Sequence, residues 1–136
     1  MEFAAKTRKN IRGKEESDMQ WQENLQNEAG LEALLAEPSE KLIVDMAQIK
    51  GSIMVLGAGG KMGPSLCRLI RNASKAAGIS RDIFAVSRFS DPKAASMLKE
   101  TGVHVIPCDL LDPHGLASLP DANHIIYMAG RKFGTG

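Results

Sequence analysis

Apolar positions recur along this chain in two rhythms, one helical and one extended. In "LEALLAE", Leu31, Leu34 and Leu35 fall on one face of a predicted helix, and Pro38 ends it. Ser39 stands where a cap belongs, ahead of "EKLIVDMAQI", in which Leu42, Ile43, Met46 and Ile49 form a second apolar stripe. From Gly51 the rhythm changes. "SIMVL" is a short unbroken apolar run, suited to a strand buried on both faces. A helix is predicted through "GPSLCRLIRNASKAAG", with Met62, Leu66, Leu69, Ile70 and Ala73 at helical spacing, Pro64 in its first turn and Gly78 at its stop. "DIFAVS" reads as a second strand. "SDPKAASMLKETG" reads as a helix opened by Asp91 and Pro92 and closed by Gly102, and "VHVIPCD" as a third strand. A short helix, "DPHGLASL", and a fourth strand, "HIIYMAG", complete the series. Strands alternating with helices predict an α/β fold, a parallel sheet with helices on both faces. The elements divide into a helical extension over residues 21–50 and a sheet domain over residues 51–136.

Between the first strand and the first long helix lie Gly57, Gly59, Gly60 and Gly63. Glycine costs conformational entropy on folding, so such a cluster implies a sharp turn or a close approach to the main chain. At the start of a helix several backbone N–H groups lack internal partners and carry the positive end of the helix dipole. A phosphate is their natural ligand, and in a strand–helix–strand unit that phosphate is the pyrophosphate of a dinucleotide. The plain GxGxxG spacing fails, because Met62 stands at its third position, whereas GxxGxxG fits as Gly57, Gly60 and Gly63, and GxGxxxG fits through Gly59. A nucleoside-triphosphate P-loop is excluded: Val55 occupies the place of its first glycine and Met62 that of its magnesium-binding hydroxyl.

These residues resemble the cofactor turn of the extended short-chain dehydrogenase/reductases, the NAD(P)-dependent epimerase/dehydratase group. "VLGAGGKMG", "AVSR", "CDLLD" and "IIYMAG" follow one another as in that family, and the resemblance covers about residues 52–130. It implies a three-layer Rossmann-type sheet of about four strands in the order 3-2-1-4. It also implies that the amides of Gly60, Lys61, Met62 and Gly63 hold the pyrophosphate, that Gly57 makes the turn, and that Gly63 lets the helix pack close to the strand. Asp109 and Leu110 would meet the adenine. Met128, Ala129 and Gly130 would form the small-residue turn beneath the cofactor, where Met128 departs from the asparagine that some members carry.

The second strand ends in Ser87 and Arg88, with no carboxylate before Asp91, which its neighbour Pro92 marks as a helix cap. A carboxylate at that strand end selects NAD through the ribose hydroxyls; an arginine pairs with the 2′-phosphate of NADP. NADP(H) is therefore expected in preference to NAD(H). The family's proton-transferring Tyr-x-x-x-Lys is absent. The sole tyrosine, Tyr127, is followed four residues on by Arg131, and its place in a predicted strand assigns it to core packing. The chain stops at "RKFGTG", soon after the fourth strand, so the resemblance implies the N-terminal half of a longer enzyme acting on an alcohol or carbonyl centre of a small, sugar-like substrate. A non-catalytic NAD(P)-binding sensor or interaction module is the alternative, and a packing domain without ligand the third reading.

Composition adds exclusions. A net charge of +1 gives no broad field for nucleic acid. Lys6, Arg8, Lys9, Arg12 and Lys14 crowd residues 1–20, which read as a disordered or added leader rather than a nucleic-acid or membrane-binding arm. No apolar run reaches the roughly 18 residues of a membrane span, and the N-terminus has no signal-peptide core. Cys67 and Cys108 have neither metal nor disulfide spacing, and His104, His114 and His124 show no metal pattern, so a cytoplasmic protein without a metal site is expected. A half-fold leaves one side of the fourth strand unpaired, which invites association, such as a homodimer, or instability.

Overall fold

The computed structural model describes residues 27–130. Helix α1 (Glu28–Leu35) buries none of its residues, and it belongs to a unit separate from the one that begins at Ala36. The second unit opens with α2 (Glu40–Gln48), where the Ser39 hydroxyl accepts from the Leu42 N–H. It then alternates: β1 (Ile53–Leu56), α3 (Gly63–Ala76), β2 (Ile83–Ser87), α4 (Pro92–Glu100), β3 (His104–Pro107), α5 (Pro113–Ala117) and β4 (His124–Tyr127). The four strands form one all-parallel sheet in the order β3-β2-β1-β4. This is a Rossmann-like α/β fold, and the strand order is the expected one. Register is set by Ile53 opposite both Ile83 and His124, and by Phe84 opposite His104.

Helix starts follow from local chemistry. Asp91 accepts from the Lys93 N–H at 3.0 Å and Asp112 from the His114 N–H at 3.1 Å, each just ahead of a proline whose missing N–H costs nothing at a helix start. Asp82, at the opposite end of β2, pairs with His104 Nε2 at 3.1 Å.

One face of the sheet carries the main core. Ile53, Val55, Ile83 and Ala85 pack there with Met46 of α2, Cys67, Ile70 and Ala73 of α3, and Leu98 of α4. The inward face of α3 runs through Gly63, Cys67, Ile70, Ala73 and Ser74. Met62 is not part of it: it caps the helix from outside and is 71% exposed, because its side chain precedes the first turn that touches the sheet. The other face is crossed by the β3-to-β4 connection, which carries the five-residue α5 and which the right-handed crossover rule sends across that side. One correction concerns that face. Tyr127 is accordingly no core residue. It is 68% exposed and its face-mate Ile125 61%, because β4 is an edge strand beyond that short cover.

The α2 helix is tied to the sheet by a residue without a sequence signal. Arg81 is 8% exposed; its Nη2 donates to the Met46 carbonyl at 2.7 Å and its Nη1 to that of Gly51 at 3.4 Å. Burial lowers the pKa of the guanidinium, and the last-turn carbonyl of α2 meets its positive charge.

Cys67 is fully buried, and that burial pushes its thiol up to about 12. An unfolded chain releases this proton near the ordinary cysteine value, about 8.5. Between those values the native state holds a proton that the unfolded state has lost. Stability therefore falls as pH rises, by about 1.4 kcal/mol per pH unit from this group. Urea midpoints measured at about pH 8 and about pH 10 should drop less for Cys67→Ala than for the wild type; equal drops would remove Cys67 from the alkaline instability.

Candidate dinucleotide site

Because all four strands run the same way, their C-terminal ends share one rim. Along it stand, in spatial order, Asp109 and Leu110 after β3, Ser87 and Arg88 after β2, the turn from Gly57 to Gly63 after β1, and Met128, Ala129 and Gly130 after β4. The strand order reverses between β1 and β4, which is where open α/β sheets form their ligand crevice.

The turn itself is built by close approach. Gly57 has φ +87°, and its N–H donates to the Val86 carbonyl at 2.8 Å, as the Ala58 N–H does at 3.1 Å. A Cβ at Gly57 would lie 2.6 Å from the Ala129 nitrogen, so the β1 turn touches the backbone leaving β4. At Gly63 a Cβ would lie 2.6 Å from Ala58 Cα and nearer still to that residue's carbonyl group. The first turn of α3 thus rests on the end of β1.

Within this turn the amides divide. Gly60 donates to the Gly57 carbonyl and Gly63 to that of Gly60, each at 3.3 Å. The N–H groups of Gly59, Lys61 and Met62 have no hydrogen-bond partner among the described residues. Of the four amides expected to face a pyrophosphate, Lys61 and Met62 are therefore open. Gly60 and Gly63 are spent on long bonds that shape the turn, and Gly59 joins the open set. No side chain caps α3, whereas Ser39, Asp91 and Asp112 cap α2, α4 and α5; nor does an acidic residue stand in its first turn. Its 14 residues aim the positive end of their dipole at uncommitted donors. A set of uncommitted main-chain donors on a glycine turn suits an anion.

The flanking residues are placed as follows. Ser87 turns its side chain toward the glycine turn: a Cβ at Gly59 would lie 2.5 Å from Ser87 Oγ. The Ser87 carbonyl accepts from the Cys108 N–H at 2.8 Å, which ties the end of β2 to the end of β3. Arg88 is exposed. Asp109 is exposed too; its Oδ1 accepts from the Leu111 N–H at 2.9 Å, and its second oxygen has no partner among the described residues. Leu110, Met128 and Ala129 are half-buried and Gly130 is exposed.

Sequence reasoning missed Phe89. It is half-buried, has φ +50°, packs against the main core, and places its ring edge 3.4 Å from where a Cβ of Gly59 would stand. No local signal announces it, because a bulky aromatic residue is a poor fit to the left-handed region. Among the described residues no group of three or more histidine, cysteine, aspartate or glutamate side chains could hold a metal ion, and no helix is long and apolar enough to cross a membrane. No protein-family model matches the chain, and neither a curated protein nor a solved structure does.

Proposed function

We propose that this chain binds a nicotinamide dinucleotide, NADP(H) in preference to NAD(H), on the rim formed by the C-terminal ends of its strands. We read it as the cofactor-binding portion of an NAD(P)-dependent epimerase, dehydratase or reductase acting on an alcohol or carbonyl centre of a small molecule. One observation carries this reading. The open N–H groups of Gly59, Lys61 and Met62 sit on a glycine turn at the point where the strand order reverses, at the uncapped start of a long helix. They would hold the pyrophosphate, with Gly57, Gly60 and Gly63 shaping the turn. Arg88 would pair with the 2′-phosphate, Ser87 would stand beside the ribose, and Asp109 and Leu110 would meet the adenine. Met128, Ala129 and Gly130 would floor the nicotinamide half, which supplies or accepts hydride when bound. The two cysteines are free, which supports placement in the reducing cytoplasm.

Calorimetric titration with NADPH and NADH tests the assignment. Wild type should bind NADPH more tightly, and Arg88→Ala should weaken NADPH by about tenfold or more while leaving NADH nearly unchanged. Equal NADPH affinity in the two proteins removes Arg88 from the account. Failure of the folded wild type to bind either cofactor at millimolar concentration ends the reading altogether.

A second reading keeps the site and drops the chemistry. The sole tyrosine, Tyr127, is not followed four residues on by lysine, which permits a non-catalytic sensor or interaction module built on the same dinucleotide site.

A further inference from the structure

Phe89 is the one non-glycine residue with positive φ among the described residues, at +50°. For a bulky side chain this conformation costs free energy and persists only where the surroundings over-determine it. Three contacts do so here. Its N–H donates to Ser87 Oγ at 3.5 Å, its ring lies against Gly59, and its side chain joins the main core. Ser87 is itself fixed at both ends, by the Cys108 N–H on its carbonyl and by Gly59 beside its hydroxyl. Between these two anchored residues stands Arg88, exposed at the end of β2. The chain then turns at once into the Asp91 cap of α4. An extended residue 89 would send the chain onward along β2. The left-handed one turns the chain out of that line, with the ring against Gly59 and Arg88 exposed just before the bend.

We propose that the left-handed kink at Phe89 is the positioning device that aims Arg88 at the 2′-phosphate, making Phe89 a determinant of NADP(H) over NAD(H) choice without touching the cofactor. This rests on the dinucleotide reading above. It goes beyond it by assigning discrimination to a backbone conformation rather than to the arginine alone.

Two substitutions separate the kink from the packing. Both Phe89→Val and Phe89→Asn lose the ring, so both should lower stability. Valine is branched at Cβ and resists positive φ, whereas asparagine enters the left-handed region readily. The ratio of NADH to NADPH dissociation constants, measured by calorimetry, should fall about tenfold in Phe89→Val and stay close to wild type in Phe89→Asn. Should Phe89→Val fail to fold, Phe89→Ala, which also disfavours positive φ, takes its place with the same expected fall. An unchanged ratio in the valine or alanine variant overturns the proposal, and so does an asparagine variant that loses the preference as fully as valine does. A wild type that binds both cofactors equally overturns it too, while leaving the dinucleotide site standing. A wild type that binds neither overturns the dinucleotide reading itself.

Discussion

Gly63→Ala is expected to lower the stability of the fold by about 2–4 kcal/mol and to abolish NADPH binding with it, although it adds a single methyl group. The added carbon would meet the Cα and carbonyl of Ala58, which are main-chain atoms at the end of β1 and have no rotamer to escape into. Either α3 lifts off the sheet, opening the core around Cys67 and Ile70, or the end of β1 bends and takes the open amides with it. Gly60→Ala is the matched control. A Cβ there meets nothing nearer than the Gly57 carbonyl oxygen at 3.6 Å, an ordinary contact, so its cost should stay within about 1 kcal/mol. Urea denaturation of the three proteins decides the matter. A Gly63→Ala midpoint equal to wild type would mean that the helix and strand are not in fact seated this closely.

Arg81→Met is the second change with a large expected effect, a loss of about 2–3 kcal/mol. Two opposing terms have to be weighed. Burying a guanidinium is costly, and its Nε has no partner, so a methionine of similar length recovers some desolvation energy. Against this, the substitution strips the Met46 carbonyl of a 2.7 Å charge-assisted donor in a buried place, and it releases Gly51 as well. A buried carbonyl left unpaired costs about 1–3 kcal/mol, and the lost charged bond adds to it. The balance falls against methionine because Arg81 is also the link between α2 and the start of β1. Thermal melts should show the drop, and amide exchange should show α2 losing protection before the sheet does. A variant as stable as wild type would mean that desolvation dominates.

The sequence and the structure agree where chemistry is local. Ser39, Asp91 and Asp112 announce helix starts because a short polar side chain reaches its own second or third amide whatever lies elsewhere. Short apolar runs announced the strands, unbroken in β1, and strand–helix alternation announced the parallel sheet. The features that escaped depend on partners far along the chain. Arg81 finds its acceptors 30 and 35 residues away. Tyr127 and Met62 are apolar enough for a core, and only the position of β4 at an edge and of Met62 ahead of the first turn exposes them. Of the rim, the glycine spacing located the turn. Which of its amides remain open was hidden, since that depends on the 3.3 Å bonds Gly60 and Gly63 make within it. The conformation of Phe89 was equally invisible.

The contact between Gly57 and the backbone of Ala129 has a consequence for how the molecule comes into being. The β1 and β4 ends of the crevice are separated by a long stretch of chain: the bonds joining Ser52 to Asn123 at the far end of the same two strands span 71 residues. A ribosome emits the first lip early and the second only after the whole stretch that separates Ser52 from Asn123. The partial sheet of β1, β2 and β3 can therefore assemble before the second lip exists, so any molecule held between the two lips would act on folding only by locking β4 once it arrives.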